Sequence, residues 1–172
     1  FVPFVFLPAF ALEHSAGHVA ASALLSLIGG VSIMGRLGIG ALSTRIGIVG
    51  VFKISVFMMA ASYLLWLTAT SYYSLIVFAV VLGLAYGVRI ALMPGVLIEI
   101  FGLQNLGAVL GIFFTASGIS ATLGPLLAGL IIDHSGNYRW AIVFALAMGM
   151  LGFVAVIPLR PGRLRRDLPN HM

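Results

Sequence analysis

Residues 54–88 read ISVFMMAASYLLWLTATSYYSLIVFAVVLGLAYGV, a run without a single aspartate, glutamate, lysine or arginine. Uncharged runs of the same kind occupy residues 100–132 and 140–159. A soluble domain carries roughly 25% charged residues, whereas this chain carries 8% and is 62% hydrophobic. Because segments like these cannot form a water-facing surface, they predict helices that cross a lipid bilayer.

Six apolar segments predict an all-α, multi-span transmembrane bundle over residues 1–159, followed by a basic cytoplasmic tail at residues 160–172. A hydrocarbon core of about 30 Å needs close to twenty helical residues. Five segments have about that length: residues 19–42, 51–69, 73–98, 106–132 and 140–159. The first, residues 1–12, covers only about 18 Å at a helical rise of roughly 1.5 Å per residue. We therefore interpret it as a truncated span and the chain as a piece of a longer protein.

The short connections between the spans, such as residues 43–50 and 133–139, predict that consecutive helices run antiparallel. Cations then fall unevenly on the two sides. One side holds Arg45, Lys53 and the four arginines of the tail, and the other holds only Arg139. Cytoplasmic loops carry the excess of lysine and arginine, so residues 43–50 and the C-terminus are predicted to be cytoplasmic in a multi-pass protein of the cell membrane. This distribution also accounts for the net charge of +5 without nucleic-acid binding.

Enzymatic and metal chemistry find little support in the sequence. The chain has no cysteine, which excludes disulfides and thiolate ligands within it. Glu13, His14 and His18 have a spacing that a zinc ion could use, but no further ligand is nearby, and we interpret them as a solvated outer turn. No nucleophile elbow, glycine-rich phosphate loop or pair of carboxylates occurs. We predict no enzyme activity, no cofactor and no metal.

Small and polar residues repeat at helical spacing on two of the spans. On the second span they are Ser22, Ser26, Gly29, Ile33, Arg36, Gly40 and Ser43. On the fifth they are Gly107, Gly111, Thr115, Gly118, Thr122, Pro125 and Gly129. Alternating steps of four and three keep each set on one helix face. Such faces either let helices pack closely or line a water-filled pathway, and the arginine within the first favours the pathway.

The chain resembles the carboxyl-terminal half of a major facilitator superfamily transporter, closest to the monocarboxylate-porter and oxalate–formate-exchanger branch. Residues 40–47 (GALSTRIG) are similar to the family's cytoplasmic loop signature G-x-x-x-D-R-x-G, with Thr44 in place of the aspartate. Residues 124–129 (GPLLAG), 136–138 (GNY) and 99–102 (EIFG) resemble the eleventh helix, its outer loop and the loop before it. The resemblance covers the whole chain as spans seven, in part, to twelve, and it implies that an N-terminal half is missing.

The signature residues have a physical use as a conformational loop motif. Gly40 and Gly47 permit a tight turn. Arg45 either meets helix C-terminal carbonyls or a carboxylate, and so latches one conformation, or serves as a cytoplasmic charge anchor. Thr44 cannot supply the charge of the family's aspartate, so the latch is weaker here or paired differently.

Two arginines lie inside predicted spans. Arg36 is about six residues, roughly 9 Å, from the cytoplasmic end of its span, and it either reaches the headgroups or binds an anion with its planar fork. The resemblance implies that Arg36 binds a substrate carboxylate. It also implies H⁺ as a candidate coupling ion, but the family's proton-linked aspartate is Ser32 here. Arg89 lies deeper, about 15 Å from Glu99, and must face a cavity, a carboxylate of the missing half or an anion.

These residues predict a secondary transporter of small organic anions that works by alternating access around a midplane site. Arg36 and Arg89 are its predicted substrate-binding cations, and Ser32 and Thr115 are the small polar residues that shape the cavity. Two alternatives remain open. One is a facilitator-type exporter of drugs or neutral solutes, and the other is a truncated membrane scaffold that does not transport.

Overall fold

The computed structural model describes residues 1–13, 17–104 and 106–159, except for the side chains of residues 39–42 and 44. His14 and the predicted basic tail lie outside the described residues. The elements are six helices: α1 (Val2–Glu13), α2 (His18–Ile46), α3 (Ile48–Leu67), α4 (Tyr72–Phe101), α5 (Leu106–Ser135) and α6 (Tyr138–Val156). All except α1 are long and apolar enough to cross a membrane. The predicted all-α, multi-span bundle is confirmed.

The predicted loop at residues 43–50 is wrong. α2 continues to Ile46 and α3 begins at Ile48, so Gly47 alone separates them. Gly47 has a φ of 81° and donates its N–H to the carbonyl of Ser43, which ends α2 in the left-handed region that glycine adopts without a steric penalty. The polar residues near this turn indicated a loop, but they belong to the last turns of α2.

Other helix ends also extend past the predicted spans. α4 continues to Phe101 and stops at Gly102, which has a φ of 77°. At its start, the Ser71 hydroxyl accepts from the Ser74 N–H while the Ser74 hydroxyl accepts from the Ser71 N–H. This reciprocal pair satisfies two of the free donors at the first turn. Every connection except the one between α3 and α4 is therefore shorter than predicted. Connections this short support the prediction that consecutive helices run antiparallel.

α4 lies at the centre of the bundle, with α2 and α3 packed against it. α6 packs on α3, and α1 lies against α2, α5 and α6. In the core, the ring of Trp66 stacks on that of Phe78 with centroids 5.2 Å apart and meets the ring of Phe10 edge to face at 5.8 Å. Tyr63 and Trp66 are 6% and 1% exposed and fill the space between α3 and α4.

The contact between α2 and α4 is unusually close because glycines form it. A Cβ on Gly83 would come within 2.8 Å of the carbonyl oxygen of Ile28, and a Cβ on Gly35 within 2.6 Å of the carbonyl oxygen of Leu84. A Cβ on Gly87 would overlap the carbonyl of Ser32. Gly83 and Gly87 are one turn apart, the small-xxx-small spacing that lets membrane helices approach backbone to backbone. This pair was missed in the sequence.

The two small-residue faces singled out in the sequence do not form such contacts within the described chain. On α2, Ser22, Ser26, Gly29, Ile33 and Arg36 are exposed. On α5, Gly107, Gly111, Thr115, Gly118 and Thr122 are exposed, and Ala128 is the buried residue of that helix. A Cβ on Gly29, Gly107, Gly111 or Gly118 would meet nothing within 4 Å. The packing face of α2 is the adjacent one, which contains Leu24, Ile28, Ser32 and Gly35.

Candidate functional site

Arg36 stands on the exposed face of α2. Its neighbours Ile33 and Leu37 are 57% and 80% exposed, so the surface around this turn is open on the described chain. Arg36 itself is exposed and forms no hydrogen bond or ion pair with another residue that the structure describes. Its guanidinium is therefore available to an anion, a lipid headgroup or another part of the protein.

Ser32 precedes Arg36 by one turn but is turned toward α4. It is 5% exposed, and its hydroxyl donates to the carbonyl of Gly29 at 2.7 Å. Its own carbonyl faces Gly87. The structure therefore places Ser32 in the helix contact rather than beside the Arg36 side chain.

Thr115 lies on the exposed face of α5, where its hydroxyl donates to the carbonyl of Gly111 at 2.9 Å. Ser120 and Thr122 bond in the same way to Ala116 and Gly118. Each of these hydroxyls satisfies its proton on its own helix and leaves its lone pairs free. The face can therefore accept hydrogen bonds from a solute, although it carries no charge.

Arg89 is on the other side of α4 from the α2 contact, inside the bundle. It borders a cavity of about 470 Å³ that has walls from α1, α3, α4, α5 and α6. It also borders a smaller cavity of about 220 Å³ between α4 and α5. Its Nε is buried and has no hydrogen-bond partner among the described residues. Tyr63 lines the larger of these cavities and Tyr86 the smaller.

The structure does not bring the four predicted substrate-binding residues into one site. Arg36 is absent from the walls of the cavities that Arg89 borders. Thr115 and Ser32 are absent from them as well. The predicted cations thus belong to two environments, an open helix face and an interior cavity.

The tyrosines of the cavity were missed in the sequence. Tyr86 lies three residues before Arg89 on α4, so helical spacing already placed them on one side of the helix. Tyr63 lies on α3 and has no local sequence relation to Arg89. Only the packing of α3 against α4 brings it to the same wall.

The conformational loop motif occupies the end of α2. Arg45 is exposed in the last turn, and Gly47 is the single residue between the helices. The surroundings of Gly40 and of the Thr44 side chain lie outside what the structure describes. A lysine nearby has a defined role, since the Lys53 ammonium donates to the carbonyl of Ile157 at 2.7 Å, just after α6 ends. This bond joins α3 to the negative end of the α6 dipole.

Five helices that are long and apolar enough to cross a membrane indicate a multi-pass membrane protein. The Major Facilitator Superfamily model matches residues 1–172, and the chain belongs to that family. It is 30% identical to monocarboxylate transporter 3 of Rattus norvegicus over 98% of this chain and 36% of the relative. It is 28% identical to the MFS transporter asaE of Aspergillus flavus over 93% of this chain and 37% of the relative.

A third relative is the aspyridones efflux protein apdF of Emericella nidulans, 26% identical over 90% of this chain and 32% of the relative. The chain thus spans about a third of the length of these curated relatives. The resemblance seen in the sequence, to a major facilitator protein near the monocarboxylate branch, is confirmed. The prediction that the chain is not an enzyme is also confirmed, because its family and its relatives are transporters.

Proposed function

We propose that this chain is the C-terminal half of a secondary transporter of small organic anions, located in the cell membrane with its C-terminus in the cytoplasm. The observation that supports this most is the open face of α2, where Arg36 is exposed and has no partner among the described residues. An unpaired arginine inside a bilayer costs about 2.5–3.5 kcal/mol at a helix centre on insertion scales. A bound carboxylate would offset that cost through two parallel N–H···O bonds.

An N-terminal half would cover the open faces of α2 and α5 and complete the pathway. These faces flank α1, which contacts both helices. Alternating access requires a surface that is exposed to water in one conformation and packed against a second helix bundle in the other. Exposed glycines and hydroxyls suit such a surface. The turn at Gly47 would lie on the cytoplasmic side of this movement.

The test is substrate uptake by the full-length protein with Arg36 replaced. Arg36→Lys keeps the charge but loses the planar fork, so uptake of lactate or pyruvate should fall. Arg36→Ala should lower it further, by a few kcal/mol in apparent binding if the pair is well desolvated. Arg139→Lys is the matched control because Arg139 is exposed in the first turn of α6.

Uptake has to be corrected for the amount of each variant in the membrane. Arg36→Lys that matches the parent protein for a panel of monocarboxylates would reject the proposal, since a lysine reaches the headgroups as easily as an arginine. Arg36 would then be an anchor. A proton gradient across the same vesicles tests H⁺ as coupling ion, and Ser32 is not expected to carry the proton because its side chain does not titrate.

The second candidate function is export of larger apolar solutes. One observation favours it: the 470 Å³ cavity is lined mainly by apolar side chains, and one relative is named as an aspyridones efflux protein. Competition separates the two functions. Inhibition of transport by short monocarboxylates supports anion uptake, whereas inhibition only by apolar, uncharged solutes supports export.

A further inference from the structure

A groove of about 690 Å³ runs between α5 and α6, from the turn that joins them toward the middle of α6. A volume of roughly 300–1,000 Å³ is usual for a small-molecule site. All of its walls come from these two helices, and we name it the α5–α6 groove. Its long walls are apolar and consist of Leu127, Leu130, Ile131, Val143, Phe144 and Ala147.

The depth of the α5–α6 groove matches one leaflet of a bilayer. α5 ends at Ser135 and α6 begins at Tyr138, so the turn between them lies at the end of two apolar spans. Ala147, at the deep end of the groove, is about 14 Å from Tyr138 at a helical rise of roughly 1.5 Å per residue. Half of a hydrocarbon core of about 30 Å is about 15 Å. The groove therefore extends from one membrane surface to near the midplane.

The α5–α6 groove lies on the side of α5 that is opposite its small-residue face. Leu127 follows Gly118 by about two and a half turns at roughly 3.6 residues per turn, so the two residues lie on opposite sides of the helix. When the N-terminal half covers the small-residue face, as in the proposed function, the groove stays open to lipid. The molecule that fills it is then a component of the bilayer.

The end of the groove at the membrane surface is polar but carries no fixed charge. His134, Ser135 and Trp140 line this end. The Ser135 hydroxyl donates to the carbonyl of Ile131 at 2.6 Å, whereas the imidazole of His134 has no hydrogen-bond partner among the described residues. A neutral imidazole can donate to a hydroxyl or accept from one. The described residues that line the groove include no aspartate, glutamate, lysine or arginine, so a hydroxyl fits this end better than a charged headgroup.

Two aromatic rings form one wall of the groove. Trp140 and Phe144 are four residues apart on α6, which places them on the same face of the helix. Trp140 is 62% exposed, so its ring is open to a ligand. A flat, rigid ring system can lie against these two rings, and it loses less conformational entropy on binding than a flexible acyl chain does.

We propose that the α5–α6 groove binds one sterol molecule from the surrounding leaflet. The sterol hydroxyl lies at the membrane surface and bonds to His134. The fused rings lie against Trp140 and Phe144, and the hydrocarbon tail extends to Ala147. The sterol is a bound lipid and not the transported solute, so the site acts independently of the Arg36 face.

Photocrosslinking of the full-length protein in phosphatidylcholine vesicles tests the site. The probe is cholesterol that carries a photoreactive diazirine on its ring system. After irradiation, mass spectrometry of the digested protein should find the adduct within residues 127–147. Excess unlabelled cholesterol should remove this adduct. Epicholesterol, in which the configuration of the hydroxyl is inverted, should compete about threefold to tenfold less well because the bond to His134 is lost.

Two substitutions test the two ends of the groove. Ala147→Phe fills the deep end and should lower the yield of the adduct about tenfold. Ala155→Phe is the matched control and should leave the yield unchanged, because Ala155 is also exposed on α6 and is not among the residues that line the groove. His134→Leu should remove the preference for cholesterol over epicholesterol.

An Ala147→Phe protein that is labelled as strongly as the Ala155→Phe protein would overturn the proposal. An adduct found only outside residues 127–147 would do so too. A photoreactive phosphatidylcholine that labels the groove and is not displaced by excess cholesterol would show that acyl chains occupy it instead. Should Ala147→Phe fail to fold, an unchanged sterol preference in His134→Leu would reject the site.

Arg36→Ala separates the sterol site from the proposed transport function. The folded Arg36→Ala protein should keep the adduct within residues 127–147 even when uptake is lost. Loss of the adduct in that folded variant would contradict an independent site. If uptake does not depend on Arg36, the labelling of the groove is expected to remain, so the two proposals can fail separately.

Discussion

The carbonyl of Ser32 on α2 lies directly against the α-carbon of Gly87 on α4, so that no side chain separates the two helices at this point. One turn earlier, the carbonyl of Ile28 lies against Gly83 in the same way. Each contact is followed by the next one turn further along both α2 and α4, because the two helices run in the same direction. Because the backbones themselves touch, the fit depends on the absence of a Cβ at two positions of α4.

Gly87→Ala is therefore expected to destabilise the protein by about 1–3 kcal/mol, the usual cost of overpacking. A methyl group there would overlap a backbone carbonyl, which cannot rotate away. Gly152→Ala on α6 is the matched control because a Cβ there would meet nothing within 4 Å. Thermal unfolding in detergent measures both. Equal melting temperatures for the two variants would show that α2 and α4 do not pack as described.

Membrane sidedness follows from the cation distribution and is tested by labelling. The chain has no cysteine, so single cysteines placed in it report one position each. An impermeant thiol reagent added to sealed cells should label Ser135→Cys at the end of α5 and should not label Ser43→Cys in α2. Both should react after the cells are opened. Labelling of Ser43→Cys in sealed cells would reverse the proposed orientation.

The bond from Lys53 to Ile157 is expected to hold the end of α6 against α3. Lys53→Met removes a charged donor from a helix C-terminus and should lower stability by about 0.5–1 kcal/mol. Lys53→Arg keeps a charged donor and should retain most of that stability. Urea or thermal unfolding of the two variants measures the difference, and a Lys53→Met protein as stable as Lys53→Arg would contradict it.

Residues 1–172 alone are not expected to transport. The polar faces of α2 and α5 would then be open to lipid, and the pathway would have walls on one side only. The measurement is organic-acid uptake by vesicles that contain the purified chain, with the full-length protein reconstituted in parallel. Similar uptake rates in the two preparations would show that this half needs no second half.

The number and order of the helices could be predicted from the sequence because uncharged runs of twenty residues have only one stable form in a bilayer. The residues at which the helices begin and end were harder to predict. Gly47 is one of several glycines near the α2–α3 junction, and hydropathy does not show which of them has a positive φ. Polar residues such as Ser43 and Arg45 are typical of a loop in a sequence, although the hydrogen bonds of α2 continue through them.

The packing of helices against one another could be predicted only in part. The small-residue face of α2 could be recognised in the sequence, but the element that packs against α2 could not. The residues of α2 that contact α4 lie on the adjacent face. Burial of Tyr63 and Trp66 also escaped prediction, because aromatic residues near a span end are as typical of the interface as of a core. The depth of Arg89 predicted that it faces a cavity, a carboxylate of the missing half or an anion, but which helices surround it follows from tertiary packing alone.

Direct contact between the backbones of α2 and α4 has a mechanical consequence for the two intramembrane arginines. Helices that meet through layers of side chains can slide past one another by small rotamer changes, but no such layer exists between Gly83, Gly87 and their partners on α2. We therefore expect α2 and α4 to move together as one rigid unit. Arg36 lies on one helix of this pair and Arg89 on the other, so we expect their separation to change little when the pair moves. A movement that reorients one arginine should then reorient the other by the same rotation.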